Sequence, residues 1–215
     1  MSTCTAVVLT LNEVTNLKRC FASLRWCHEI VVIDSGSTDG TREEAARLGA
    51  RVLVHVQSPP FKISEQRNWA LDHADLAAGW ILFLDADETV PVPLAHRIQI
   101  LADNPSTDLD AYELTPRYLF WGTWLKRTQG YPNWHPRLVR LGHARFEGGV
   151  WEHFSATVRT GRLPEPYDHF ANSKGFSDWL ARHDLYSSWD AGRIVDFQRH
   201  GDTAALGTTR KLTLL

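Results

Sequence analysis

Glu29-Ile30-Val31-Val32-Ile33-Asp34-Ser35-Gly36-Ser37-Thr38-Asp39-Gly40-Thr41 changes character in the middle. Glu29 to Ile33 is a short, β-branched, apolar run, which predicts a strand buried on both faces. It ends at Asp34, and Ser35 to Gly40 is a loop by composition. Thr41 to Leu48 then reads as a helix, with Gly49 as its stop. The same unit recurs on either side. Upstream, Thr5 to Leu11 is a first strand, followed by Asn12-Glu13 and by Leu17, Cys20, Phe21 and Leu24 at helical spacing. Downstream come a strand over Arg51 to His55, a break at Pro59-Pro60 and a longer helix over Ile63 to Ala78. A strand over Trp80 to Leu84 then leads into Asp85, before a helix over Pro91 to Leu101. Strand and helix alternating at this cadence predict a parallel α/β sheet with right-handed crossovers.

Ligands of such sheets bind beyond the carboxyl ends of the strands. Three polar clusters fall there: Asn12-Glu13, Asp34 to Asp39, and Asp85 to Glu88. Isolated surface carboxylates are usually just solvated, but three clusters at three strand ends point to one shared site. In Asp85-Ala86-Asp87, two carboxylates at a strand end can face a hard cation together. Mg²⁺ or Mn²⁺ is commonly held by one or two carboxylates plus substrate phosphates. The plain alternative is a helix cap at Asp87, with Glu88 favoured by the helix dipole. In the loop after Asp34, two glycines allow tight turning and close ligand approach. Its plain alternative is a strand–turn–helix capped by Thr38 or Asp39. The loop is neither a phosphate-binding Walker loop nor a Gly-x-Gly-x-x-Gly fingerprint.

The 215 residues suggest one domain, or one domain with an extension, and composition is that of an ordinary globular protein, 43% hydrophobic and 22% charged. A net charge of −2 gives no electrostatic case for nucleic acid as a partner. The cysteines, Cys4, Cys20 and Cys27, are odd in number and fit no zinc spacing. Cys20 and Cys27 are expected as buried thiols of an amphipathic helix. The polar start carries no secretory leader pattern, and no stretch reaches the length of a membrane span. A cytoplasmic location is expected, extending to the inner face of the cytoplasmic membrane. The ending Arg210-Lys211-Leu212-Thr213-Leu214-Leu215 reads as a helix cut short.

Beyond about residue 108 the pattern changes. Ala111 to Leu119, Trp134 to Leu141 and Val150 to Val158 alternate like strands of a mixed or antiparallel half, and Asn172 to Asp196 reads as one or two helices.

Four motifs in order, Thr10-Leu11-Asn12-Glu13, Val31 to Thr41, Gln66-Arg67-Asn68 and Leu84-Asp85-Ala86-Asp87-Glu88, resemble the family 2 glycosyltransferases of GT-A fold. The resemblance is closest to the small bacterial group of lipopolysaccharide-core glucosyltransferases. It covers residues 3–105 strongly and the rest loosely. It implies a GT-A-like, Rossmann-like α/β fold: a mostly parallel central sheet flanked by helices, a mixed second half and C-terminal helices. Residues 1–105 would bind the nucleotide sugar and 106–215 the acceptor. The activity implied is inverting, metal-assisted transfer of a hexose from a nucleotide diphosphate sugar, UDP-linked by preference, to a saccharide or lipid-linked glycan. That chemistry belongs to lipopolysaccharide or cell-surface glycan synthesis in bacteria, with Mn²⁺ or Mg²⁺ as cofactor and peripheral membrane association as a further expectation.

By the same resemblance Asp34 contacts the base, while Leu11, Asn12, Glu13, Ser35 and Asp39 line its pocket. Arg67 lies near the nucleotide, and Asn68 packs the loops. Asp87 is the principal metal ligand, with Asp85 and Ala86 beside it, Asp85 nearer the ribose or the metal. An inverting transfer needs a base for the acceptor hydroxyl's proton. Relatives show an Arg-Leu run and then a His-Glu pair. Here Arg137-Leu138 is followed by Val150-Trp151-Glu152-His153, with the histidine displaced. Glu152 is the candidate base. His153 and His169 are alternatives, as metal ligands or near the phosphates, and His169 joins Asp85 and Asp87 in the candidate metal set. Arg137 suits a diphosphate. Trp121, Trp124, Trp134 and Trp151 are candidates for a sugar-stacking floor, against packing or contact with a lipid headgroup region.

Two other readings stay open. A nucleotidyltransferase would need a Gly-rich basic loop after the first strand, where Leu11-Asn12-Glu13-Val14 stands instead. A degenerate, non-catalytic binding or scaffold module is disfavoured by the intact Asp85/Asp87 pair and kept open by the displaced histidine.

Overall fold

The computed structural model describes residues 4–77, 79–104, 107–127, 130–149 and 152–200. It forms two compact units, Met1–Ser173 and Lys174–Leu215. The first begins β1 (Cys4–Thr10), α1 (Leu17–Ala22), β2 (Glu29–Asp34), α2 (Thr41–Arg47), β3 (Arg51–Val54), α3 (Ile63–His73) and β4 (Trp80–Asp85). It continues β5 (Glu88–Thr89), α4 (Val92–Asp103), β6 (Ala111–Leu114), β7 (Pro116–Phe120), β8 (Thr123–Trp124) and β9 (His135–Arg140). It closes with β10 (Phe146–Glu147), β11 (His153–Phe154), β12 (Thr160–Arg162) and β13 (Tyr167–His169). Among the described residues the second unit is one helix, α5 (Phe176–His200).

The main sheet has seven strands in the order β12-β6-β9-β4-β1-β2-β3. β3, β2, β1 and β4 run parallel, as the strand–helix cadence requires. β9 is antiparallel to β4 and to β6, and β12 is parallel to β6. The register sets Thr10 beside Asp34 and Leu9 beside Asp85. The carboxyl ends of β1, β2 and β4 are therefore neighbours, and so are the three polar clusters that follow them.

Every residue of β1 is buried, because the sheet is covered on both faces. One face packs Val8, Val32, Leu82 and Leu84 with Leu17 and Cys20 of α1 and Leu94 and Ile98 of α4. The other packs Val7, Val31, Ile81 and Phe83 with Ala70 and Ala74, from α3 and its end, and with Phe146 and Phe154. Apolar area removed from water on both faces supplies the main stabilisation, at roughly 25 cal/mol per Å².

Several local expectations change. Ala111 to Leu119 is two strands, not one. β6 stays in the main sheet, whereas β7 leaves it for a four-stranded sheet ordered β5-β13-β7-β8. The division falls before Pro116, which has no N–H for a ladder and opens β7. The helix expected to Ala78 ends at His73, because Asp75 turns left-handed at φ 46°. No helix begins at Asp87, since β5 follows and α4 starts only at Val92, after Pro91. Cys27 lies past the end of α1 and is half-buried, while Cys4 and Cys20 are buried, and none of the three forms a disulfide. Of the strand expected over Val150 to Val158, only β11 forms among the described residues; Val150 and Trp151 lie outside them, as does the apolar ending after Arg210. No helix among the described residues is long and apolar enough to cross a membrane.

Gly161 of β12 sits where a side chain does not fit. A Cβ there would lie 2.7 Å from Leu109 Cδ1 and 2.9 Å from Tyr112 Cε1. Gly161→Ala is expected to destabilise by about 1–3 kcal/mol through overpacking. An unchanged denaturant midpoint would show that Leu109 and Tyr112 simply move aside.

Candidate active site

The loops after β1 and β2 brace each other. Asp34 is fully buried and accepts four hydrogen bonds. Thr10 Oγ1 donates at 2.7 Å, Ser37 Oγ at 2.5 Å, the Ser37 amide at 2.7 Å and the Gly36 amide at 3.0 Å. A carboxylate offers about four lone-pair sites, so Asp34 spends its acceptor capacity shaping this loop. Gly36 has φ +98° and comes so near Val56 that a Cβ would lie 3.2 Å from Cγ2. Asn12 takes φ 56°, a region asparagine tolerates. Its amide donates to Ser37 Oγ at 2.8 Å, and its Oδ1 accepts from the Thr38 amide at 2.8 Å.

Glu13 follows the same plan. Its amide donates to Thr41 Oγ1 at 2.7 Å, and its carboxylate accepts from Asn16 Nδ2 at 2.7 Å. Asp39 accepts from the Thr41 amide at 3.0 Å and the Val14 amide at 3.2 Å. Slight burial opposes the shift, but the bonds from Thr41 and Val14 hold Asp39 below the usual carboxylate range. Ser35 is half-buried and accepts from Gln66 Nε2 at 3.1 Å, while Leu11 is 52% exposed at the rim. Gln66, fully buried, also donates to the His55 carbonyl at 3.0 Å and so ties α3 to the end of β3.

At the end of β4 the site becomes ionic. Asp85 is the partly exposed member, 31% at its side chain. Arg67 Nη2 reaches its Oδ1 and Arg137 Nη2 its Oδ2, both at 3.4 Å. Arg67 is completely buried, with its guanidinium 5.5 Å from the Phe83 ring and 5.6 Å from that of Phe146. Asn68, next on α3, bonds both backbone groups of Phe146, at 2.8 and 3.0 Å. Ala86 is buried in the turn.

Glu88 is also fully buried. Arg137 Nη2 donates to its Oε1 at 2.8 Å, and the Asp85 amide to its Oε2 at 3.0 Å. Burial pushes the Glu88 carboxyl up against the opposing pull of Arg137. Burial pulls Arg137 down, but Glu88, Asp85 and Glu152 together raise it well above its ordinary value.

β5 pairs with β13, placing His169 opposite Glu88. His169 Nε2 lies 3.4 Å from Asp87 Oδ2, and Nδ1 lies 3.9 Å from Glu88 Oε1. Burial disfavours the imidazolium, yet Asp87 and Glu88 raise its pKa to about 9. The Tyr118 ring stands 5.1 Å from that of His169, on the paired strand β7. Glu152 enters from the other side. Its Oε1 is 3.0 Å from Arg67 Nε and its Oε2 is 3.9 Å from Arg137 Nη1, with its side chain 6% exposed. The Arg67 contact is close but out of line, so Arg67 Nε and Glu152 Oε1 have no hydrogen-bond partner among the described residues. Burial raises the Glu152 carboxyl, and Arg67 and Arg137 oppose it.

The structure thus brings Asp85, Asp87, Arg67, Arg137, Glu152 and His169 together. His153 stays apart, 60% exposed and 3.6 Å from Glu147. Of the tryptophans, Trp121 meets Phe120, Trp124 meets Tyr131, and Trp134 lies under Arg162. Trp151 falls outside the described residues.

Glu88 belongs to the acidic cluster read from the sequence without a role of its own, and His135 was not singled out. His135 opens β9 with a buried Nε2 that has no hydrogen-bond partner among the described residues. Burial and then Arg137 push it down to about 3, so it is a neutral imidazole. Nothing in the local pattern marks His135 or the pairing of Glu88 with Arg137; each matters because β4, β5 and β9 meet.

Four carboxylates here face two guanidiniums and one imidazole, which leaves excess negative charge for a cation. No three His, Cys, Asp or Glu side chains among the described residues form a metal-binding group by themselves. Asp85 and Asp87 fit a cation that takes its other ligands from a diphosphate, and His169 could join them on giving up the proton that Asp87 and Glu88 favour.

Comparison with known proteins places the chain by sequence and by fold. The model of Glycosyl transferase family 2 matches residues 5–162. A lipopolysaccharide core biosynthesis glycosyltransferase, LpsC of Rhizobium meliloti (strain 1021), is 28% identical over 163 residues, covering 74% of this chain. The chain spans 57% of that relative's length. Among solved structures, the mannosyltransferase PcManGT from Pyrobaculum calidifontis, in complex with GDP-Man and Mn²⁺, superposes with TM-score 0.55 at 17% identity. It covers 85% of this chain and 61% of its own. S. aureus TarS 1–349 gives TM-score 0.52 at 14% identity, covering 92% of this chain and 66% of its own.

Proposed function

The chain belongs to glycosyl transferase family 2 and has the GT-A fold; from that premise we propose the reaction and the residues that carry it. The reaction is inverting transfer of a hexose from a nucleotide diphosphate sugar, UDP-linked by preference, to a saccharide or lipid-linked glycan. The observation that carries this reading is the convergence of Asp85, Asp87, His169, Arg67, Arg137 and Glu152 beside the loops that end β1 and β2.

Residues 1–105 form the donor side and 106–215 the acceptor side. The loops built by Asn12, Glu13, Asp34, Ser35 and Asp39 receive base and ribose. Asp87, with Asp85 and His169, would hold Mn²⁺ or Mg²⁺, which when bound neutralises charge on the departing diphosphate. Arg67 and Arg137 orient Asp85 and Glu152 from behind. Glu152 takes the proton of the acceptor hydroxyl as that oxygen bonds to the anomeric carbon and the nucleoside diphosphate leaves. Its burial fits that role, because a base works best with its pKa raised toward neutral.

Thermal unfolding with UDP-, GDP- and dTDP-sugars, with and without Mn²⁺, tests the reading. A cognate donor at a hundredfold excess over its Kd stabilises by about 2.7 kcal/mol, or roughly 5–10 °C for a chain of this size. Asp87→Ala should abolish the metal-dependent part. No metal-dependent shift with any of these donors would overturn the proposal. An unchanged shift in Asp87→Ala would remove Asp87 as the ligand.

A further inference from the structure

Asn16 stands at the N-cap of α1, where asparagine ordinarily bonds an amide of the first turn, yet its side chain makes no such bond. It is buried, and its polar atoms are spent elsewhere. Nδ2 donates to Glu13 Oε2 at 2.7 Å and to Ser173 Oγ at 2.9 Å, and Oδ1 accepts from Arg19 Nη2 at 2.5 Å. Both amide hydrogens and one oxygen lone pair are thereby used. The partners come from three segments: the loop after β1, α1 itself and the stretch after β13.

Arg19 carries the contact onward. Its guanidinium carbon lies 3.9 Å from the centroid of the Phe170 ring, a cation–π contact. Nε is buried and has no hydrogen-bond partner among the described residues, so the bond to Asn16 fixes how the guanidinium lies on the ring. Burial lowers the Arg19 pKa, and Asp87 is the largest of the charges that oppose it. The Phe170 amide donates to the Asp87 carbonyl at 2.9 Å, and His169 Nε2 lies 3.4 Å from Asp87 Oδ2. The dipeptide His169-Phe170 therefore meets Asp87 at both its backbone and its side chain. Arg19 packs on that dipeptide from α1. Ser173, whose amide donates to the Phe170 carbonyl at 3.0 Å, holds it from three residues further on.

We infer that Asn16 is a positioning residue for the metal end of the site. Through Arg19 and Ser173 it clamps His169-Phe170 against Asp87, and through Glu13 it joins that clamp to the donor loop. Residues that hold a ligand's neighbours in place tune a metal site without touching the ion. The inference rests on Asp87 as a ligand of the metal, as proposed above.

Mn²⁺ titration of the whole chain with saturating UDP, GDP or dTDP, followed by loss of the free-ion electron paramagnetic resonance signal, tests this without any turnover assay. Asn16→Ala and Arg19→Gln should each weaken Mn²⁺ binding about tenfold. The double variant should be no weaker than either single one, because both substitutions release the same clamp. Arg19→Gln keeps Asn16 with its bonds to Glu13 and Ser173, so it tests the contact with Phe170 even if Asn16→Ala does not fold. Unchanged Mn²⁺ affinity in Arg19→Gln, or in a folded Asn16→Ala with only a lowered denaturant midpoint, would overturn the inference and leave the transfer reading standing. Losses that multiply to about a hundredfold in the double variant would also overturn it, since the two residues would then act independently. No Mn²⁺ binding by the unaltered chain with any of the three nucleotides would instead sink the transfer reading, and the clamp with it.

Discussion

Glu152→Gln is expected to bind nucleotide sugar as the unaltered chain does and to transfer sugar about 10²–10⁴-fold more slowly, the range supplied by a positioned general base. The substitution keeps size and removes basicity. Arg137 keeps Glu88 as its partner at 2.8 Å, and Arg67 keeps Asp85 at 3.4 Å. The fold and the donor loops should therefore survive. Donor-induced thermal stabilisation and single-turnover transfer, measured on the same sample, separate the two roles. If transfer proceeds at the ordinary rate, the base lies elsewhere. If donor stabilisation disappears along with transfer, Glu152 is a positioning residue for Arg67 and not the base.

Arg137→Met should cost about 3–5 kcal/mol of folding stability, the size expected when one partner of a buried ion pair is removed. Glu88 would be left fully buried with only His169, 3.9 Å away, to face it, and Glu152, 6% exposed, would lose one of its two arginines. The melting temperature should drop by roughly 10 °C. Adding Glu88→Gln should return part of the loss, because the uncompensated charge and not the missing contact dominates the cost. Denaturant midpoints of the two single variants and the double variant give the coupling directly. A wild-type midpoint for Arg137→Met would mean that Glu88 is protonated in the native state, so that burial has outweighed Arg137 and the pair is not ionic.

The main architecture was legible because it follows from local regularities. Short β-branched runs, helical spacing and glycine stops give β1 to β4 with their helices, and the parallel order follows from the alternation. The register Thr10–Asp34 and Leu9–Asp85 then puts the three clusters side by side. Asp85 and Asp87 could be singled out because strand-end carboxylates in a parallel sheet have one place to face.

Contacts between distant segments were not legible. His169 meets Asp87 only because β13 pairs with β5, and Glu152 meets Arg67 where the β10–β11 segment is held on α3 through Asn68 and Phe146. Glu88 looked like a helix-dipole residue, but it is the buried partner of Arg137, since a strand and not a helix follows Asp87. Pro116 is visible in the sequence; that it sends β7 to a second sheet, raising Trp121 on a hairpin tip, is not. By itself the sequence determined the strand–helix frame and the acidic end of β4, since periodicity and turn chemistry act over a few residues. Which charges face each other across the site was decided by the tertiary structure, because buried charges are tolerated only where distant strands supply their partners.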